Sequence, residues 1–263
     1  ETVFGEPSEN GMSVRIVFLF AAAWTLVFSI PMLLNVPEIA AKDGGRGRET
    51  ILQSYKMLFG QLKSLRAQAP ETFKFLVSSA IYRDGLAGVF TFGAVLGASA
   101  FGFSQTQIIL FGIAANIVAG IGAAVGGRLD DIIGSRSVII GSLVGLIIAG
   151  SGVFIFAGAG VITYWIGGLL LCLFVGPAQA SSRTFVARFT PKGREGEVFG
   201  LYQFTGRAVS FLSGSFWTLS ILIGSAVTGM KDATIFGVIG LLLVLSVGLG
   251  LLTRVHPNPS VLE

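Results

Sequence analysis

Asp84 and Arg207 are the residues of this chain whose placement most demands a chemical role. Each sits deep in a long apolar stretch, about 15–18 Å from its nearer polar end at 1.5 Å per helical residue. A charge at such a depth in lipid costs about 2.5–3.5 kcal/mol on insertion scales, so it is kept for what it does. Asp84 can take up a proton or hold an amine. Arg207 can hold a carboxylate, or pair with Asp84 when no ligand is present. The plain structural alternative is a salt bridge that only fixes helix packing. Arg83 follows a direction about 100° away from Asp84 on a helix, toward a neighbouring helix or the membrane surface. Gln203 lies one helical turn before Arg207, on the same face, and is a candidate ligand contact. Tyr82 and Tyr202 are candidates for lining the same region, with aromatic packing as their alternative. Asn116, within an apolar run, is a candidate for the substrate or proton pathway, with bonding across helices as its alternative. Gln179, Ser181 and Ser182 follow Gly176-Pro177, where a proline removes an N–H, bends a helix and frees a carbonyl. That makes Gln179 a further candidate contact.

Other chemistries lack their parts. Cys172 is the only cysteine and His256 the only histidine, so the chain has no disulfide framework and no histidine- or cysteine-based metal centre. Asp84 is the one acidic residue deep in an apolar run, which leaves no paired carboxylates, and no such run contains a histidine for a Ser–His arrangement. The glycine-rich stretches lack a Walker lysine at the right spacing. No cofactor, no metal and no enzymatic activity are expected.

The elements that position these residues follow from composition. The chain has 263 residues, 52% hydrophobic and 12% charged, against about 25% charged in soluble domains. Mean hydropathy is +0.80. This is the balance of a chain that lives in a lipid bilayer. Runs long enough to cross about 30 Å of hydrocarbon fall at about 12–35, 72–100, 104–127, 137–157, 161–187, 197–224 and 232–253. Backbone groups in lipid must be satisfied internally, so these seven are helices. Lysine and arginine gather in 37–70 (Lys42, Arg46, Arg48, Lys56, Lys63, Arg66), at Arg128 and Arg136, at Arg188, Lys192 and Arg194, and at Arg254. Alternating spans place all four regions on one side, which is then cytoplasmic. The other side carries Glu1, Glu6, Glu9, Lys231 and Asp232. The net charge of +4 is thereby explained by loops, and no nucleic acid partner is expected. Ile51, Leu52, Tyr55, Leu58, Phe59, Leu62 and Leu65 recur at helical spacing. They mark an amphipathic helix that lies on the membrane surface or packs on the bundle. The pairs Gly93–Gly97, Gly122–Gly126 and Gly141–Gly145 mark tight helix crossings.

The loop after the third span reads Gly126-Gly127-Arg128-Leu129-Asp130-Asp131-Ile132-Ile133-Gly134-Ser135-Arg136. It resembles the major facilitator signature, a Gly-x-Leu-x-Asp-x-x-Gly-x-Arg/Lys loop. Gly127, Leu129, Asp131, Gly134 and Arg136 match it, and Ile132 and Ser135 depart from it. Gly127 and Gly134 are expected to allow a tight turn. Asp131 is expected to cap a helix or pair with a basic residue and hold one transport state closed. Ser78-Ser79-Ala80-Ile81-Tyr82-Arg83-Asp84-Gly85 resembles a motif of the vacuolar effluxer-like family within that superfamily. The block from Gly176-Pro177 to Arg183, Pro191-Lys192-Gly193-Arg194-Glu195 and Phe199-Gly200-Leu201-Tyr202 are similar to it as well.

The resemblance implies an all-α polytopic membrane protein whose seven or so spans correspond to helices 6–12 of a major facilitator fold. Residues 1–36 would be the end of an outer loop and the last helix of an N-terminal half. Residues 37–70 would be a cytoplasmic linker, 71–254 a six-helix C-terminal half and 255–263 a cytoplasmic tail. The chain opens on Glu1 and reads as a fragment that lacks the first five helices. The implied activity is secondary active transport of small solutes, with amino acids as cargo and protons as coupling ion, by efflux across a bacterial inner membrane. Its partners would be lipid, a small-molecule substrate, protons and the missing N-terminal half. A non-transporting scaffold or sensor built on a transporter half is the alternative.

Overall fold

The computed structural model describes residues 12–36, 51–191, 193–230 and 232–256. The charges Glu1, Glu6, Glu9, Lys42, Arg46, Arg48, Lys192 and Lys231 lie outside the described residues, as do the side chains of Ile51 and Leu52. The chain divides into two units, Glu1–Gln53 and Ser54–Glu263.

The first unit carries α1 (Met12–Asn35), which includes Pro31. It also holds the start of α2 (Ile51–Gln68). The second unit is an all-helical bundle. Its helices are α3 (Pro70–Ser99), α4 (Gln105–Ile133), α5 (Ser135–Ile155), α6 (Val161–Phe189), α7 (Glu195–Ala208), α8 (Leu212–Thr228) and α9 (Gly237–Leu252). Among the described residues six stretches are long and apolar enough to cross a membrane: α1, α4, α5, α6, α7 with α8 taken together, and α9. The protein is therefore an all-α polytopic membrane protein. Helix α3 has the length as well, at 30 residues, or about 45 Å. Arg83 and Asp84 at its centre depress its hydropathy, so only length and packing place it among the spans.

Local sequence fixes the helix ends. Pro70 opens α3 where its missing N–H costs nothing. Ser104 caps α4: its Oγ accepts from the Gln107 N–H and its own N–H donates to Gln107 Oε1. Gly134 ends α4 at φ +82°, a conformation that favours glycine.

Helix α6 is the hub, packed on α4 and α5, while α9 packs on α3, α5 and α8. The α4–α6 crossing has a specific cause. Pro177 cannot donate to the Leu173 carbonyl one turn back, and that oxygen lies against Gly122, where a Cβ would overlap it. A Cβ on Gly126 would likewise overlap the Pro177 ring, and one on Gly176 would overlap the Ala119 carbonyl. The helix nevertheless runs unbroken through Pro177 from Val161 to Phe189. A helix interruption is found between α7 and α8, at residues 209–211. Of the glycine pairs, Gly122–Gly126 packs on both members. Gly93 and Gly97 meet the Tyr164 ring, and Gly145 meets Phe174 while Gly141 faces open space.

Two apolar clusters fill the bundle. One, around Leu65, Phe75, Phe185 and Val198, sits where the α3 and α7 N-termini meet the α6 C-terminus. The other, around Leu96, Phe103, Tyr164 and Trp217, fills the opposite end. Leu58, Leu62 and Leu65 of α2 join the first cluster, whereas Tyr55 and Phe59 stay exposed. The amphipathic stripe is thus split between the bundle and the surroundings.

Candidate functional site

A cleft of about 240 Å³ opens between α3, α6 and α7. Arg83, Asp84 and Ala87 of α3 line it, with Gln179 and Arg183 of α6. Tyr202, Gln203, Gly206, Arg207 and Ser210 complete it from α7 and the break that follows. Six of the residues singled out, Asp84, Arg207, Gln203, Arg83, Gln179 and Tyr202, therefore share one cavity.

Asp84 and Arg207 do not pair, contrary to one expectation. Asp84 is only 6% exposed, and its Oδ2 accepts from the backbone N–H of Ser213 at 2.5 Å. Ser213 lies in the first turn of α8, where the break between α7 and α8 leaves N–H groups without helical acceptors. A carboxylate at that point satisfies an orphan donor and complements the positive end of the helix. Access is steric: a Cβ on Gly88 would press on the Ser213 side chain, so a bare glycine lets α3 and α8 approach closely enough. Among the described residues Arg207 forms no ion pair.

Arg83 holds a larger place than its direction from Asp84 implied. Its Nη1 donates to the Tyr202 carbonyl at 3.0 Å and its Nη2 to Gln203 Oε1 at 3.1 Å. Its guanidinium stands 3.8 Å from the centroid of the Tyr202 ring, a cation–π stack. Arg83 and Asp84 reach the same cleft from adjacent positions because the long arginine side chain swings over Tyr202 while the short carboxylate reaches Ser213.

Two expectations are corrected. Tyr82 does not face the cleft; it is fully buried and its hydroxyl bonds Ser182 Oγ at 2.7 Å. Its backbone lies against Gly248 of α9, which turns the ring into the core. Asn116 makes no bond across helices: its Nδ2 donates to the Gly112 carbonyl of its own helix at 2.8 Å. Arg183 is a charged cleft residue that its sequence position, away from mid-membrane, does not announce. It lies about 9 Å from the end of α6, and its signal is the one-turn spacing from Gln179.

In the signature loop Asp131 pairs with Arg188 at the surface, while the neighbouring Asp130 is the buried carboxylate. Asp130 is 4% exposed. Its Oδ1 accepts from Ser135 Oγ at 2.6 Å and from Arg188 Nη1 of α6 at 2.8 Å. Asp131 is 75% exposed and meets only the second Arg188 nitrogen, at 3.2 Å. Helix α4 runs two turns beyond Gly127, whose Cβ would meet nothing within 4 Å, so Gly127 makes no turn. Gly134 does. Arg136 Nη2 donates to the Thr253 carbonyl at the end of α9, at 2.9 Å, which suits a cation at a helix C-terminus. One cluster thus ties the ends of α4, α5, α6 and α9 together. Asp130→Asn is expected to destabilise the protein by about 2 kcal/mol, since it removes the charge from one buried and one part-buried hydrogen bond. Asp131→Asn, at an exposed pair, should cost under about 1 kcal/mol. Thermal unfolding of the two purified variants checks the order, and equal losses would contradict it.

A family model described as vacuole effluxer Atg22 like matches residues 2–260. The chain is 26% identical over 237 residues to YxiO of Bacillus subtilis (strain 168), an uncharacterized MFS-type transporter, across 89% of this chain and 52% of that protein. It is 24% identical over 222 residues to autophagy-related protein 22 of Cryptococcus neoformans var. neoformans serotype D (strain B-3501A), across 76% of this chain and 40% of that protein. The chain spans about half the length, or less, of these curated relatives. No solved structure matches it at a significant level. Helices that cross a membrane, a facilitator-like loop between α4 and α5, and a match over nearly every residue agree: this chain belongs to the vacuole effluxer Atg22-like family.

Proposed function

We propose that the complete protein is a secondary active transporter that exports small solutes by alternating access, with protons as the coupling ion. In this reading α3 to α9 form the C-terminal half of a major facilitator. Helix α1 is the last helix of the N-terminal half, and residues 37–70 are the cytoplasmic linker. The N-terminal half supplies the opposite wall of the cleft. In this reading the basic loops and the C-terminus face the cytoplasm of a bacterium, as the excess of lysine and arginine on one side suggests, and the bundle lies in its plasma membrane. Amino acids are the cargo class that the family resemblance implies.

The observation that carries this reading is the contact between Asp84 and Ser213 at the break between α7 and α8. A discontinuous helix beside a polar cleft is a common arrangement at transporter binding sites. Ionised, Asp84 holds the start of α8 against α3. Protonated, it accepts that hydrogen bond less strongly, which loosens α8 from α3. Proton uptake is thereby coupled to movement of a helix that borders the cleft. With Oδ2 engaged by a backbone N–H, the carboxylate serves better as a proton site than as a partner for a substrate amine.

The test is proton flux into proteoliposomes that hold the complete protein, on addition of amino acids, peptides and sugars. Flux with one class establishes coupled transport and names the cargo class. Solute movement without proton flux leaves a uniporter. No movement of any solute favours a scaffold or sensor.

A further inference from the structure

The cleft contains three guanidinium groups and one carboxylate. Arg83, Arg183 and Arg207 line it, and Asp84 is its only acid among the described residues. Arg83 donates only to neutral acceptors, the Tyr202 carbonyl and Gln203 Oε1, so its charge is positioned but not cancelled. Arg183 and Arg207 form no hydrogen bond or ion pair with any described residue, and both are exposed to the cleft. The balance is two positive charges in excess, in a segment where each cation is costly to keep. Arginine is also the side chain whose fork matches carboxylate and phosphate oxygens two at a time.

We propose that the cleft takes a solute with two acid groups, carboxylate or phosphate, held between Arg183 and Arg207, with Arg83 as a fixed positive backdrop. The inference rests on the transporter reading above and narrows its cargo. A neutral zwitterion fits the lining poorly. Its carboxylate finds an arginine, but its ammonium finds only Asp84, which is buried and bonded to Ser213. An acidic amino acid, a dicarboxylate or a phosphorylated solute satisfies both free guanidiniums. Arg183 lies nearer the end of α6, and Arg207 lies about 18 Å into α7. The two therefore form successive stations from the mouth of the cleft inward.

Calorimetric titration of the complete protein in detergent tests this, with succinate, its monoamide succinamate, inorganic phosphate and leucine as probes. Succinate is expected to bind at least about tenfold more tightly than succinamate, and leucine more weakly than either, as loss of one charge-assisted hydrogen-bond pair requires. Phosphate binding without succinate binding would assign phosphate-bearing solutes. R183Q and R207Q should each weaken the preferred anion about ten- to a hundredfold, with R183K recovering part of the loss. Both variants should keep the wild-type Tm, since neither arginine has a hydrogen-bond or ion-pair partner among the described residues. Equal affinity for succinate and succinamate, or no binding of succinate or phosphate, overturns the proposal. So does a lowered Tm in both variants with unchanged anion preference, which would mean that the arginines pair with carboxylates of the N-terminal half. Anion binding without flux of any solute in proteoliposomes sinks the transporter reading and leaves the anion site standing. Leucine flux without anion binding does the reverse.

Discussion

Asp84→Asn is expected to reduce proton-coupled flux to background, a loss of about a hundredfold or more, while the protein still folds and reaches the membrane. The amide oxygen of asparagine still accepts from the Ser213 N–H, so the start of α8 keeps its cap. What disappears is the titratable charge. Stability should therefore change by less than about 1 kcal/mol, within the range of exchange between good capping residues. Asp84→Ala is the contrasting variant. It leaves the Ser213 N–H without an acceptor in a buried position, at a cost of about 1–3 kcal/mol, and is expected to lower both flux and Tm. Proton-driven uptake retained in Asp84→Asn would show that the carboxylate is a structural cap alone.

The second large effect is expected at the α4–α6 crossing. Gly122→Val and Gly126→Val should each lower stability by about 3 kcal/mol or more, at the upper end of overpacking costs. Their side chains would enter space held by the Leu173 carbonyl and the Pro177 ring, and neither obstacle is the flexible end of a side chain. Gly127→Val is the internal control. Its Cβ meets nothing within 4 Å, and valine is at home in a lipid-facing helix, so the change should be small. The Tm and the monodisperse yield in detergent read both effects. A Gly127 variant as damaged as the Gly122 variant would mean that the crossing does not depend on close backbone approach. Smaller side chains grade the effect. Gly122→Ala already places a methyl on a backbone oxygen and should fall between wild type and valine.

These two sites show how much of the protein was legible in its residues. Apolar run length is a one-dimensional property, so the membrane class and the spans, the 72–100 run included, can be read without a partner in view. In α3 that run is diluted by Arg83 and Asp84, which leaves it the weakest of the spans in hydropathy. Helical spacing likewise brought Gln203 and Arg207 to one face, and both line the cleft. The glycine pair at 122 and 126 pointed to a tight crossing, because lipid leaves backbone approach as a main source of helix contact.

Partner identity was not legible. Asp84 and Arg207 lie at similar depths, but depth does not fix rotation about a helix axis. The carboxylate turned instead to a backbone N–H 129 residues away. That N–H is free only because α7 stops, and residues 208–211, Ala208-Val209-Ser210-Phe211, contain neither proline nor glycine to announce the stop. Proline at 177 signals a freed carbonyl, but not that Gly122 and Gly126 of α4 would pack against Leu173 and Pro177 while α6 runs on to Phe189. The choice of Asp130 over Asp131 has the same origin. Adjacent carboxylates are alike in a signature, and only the position of Arg188 on α6 buries one and leaves the other exposed. Composition and periodicity by themselves determined that this chain is a set of membrane helices with a few deep charges. Which charge meets which group was decided by tertiary structure alone, because hydrogen-bond reach of about 3 Å is set by the rotation and approach of helices distant in sequence.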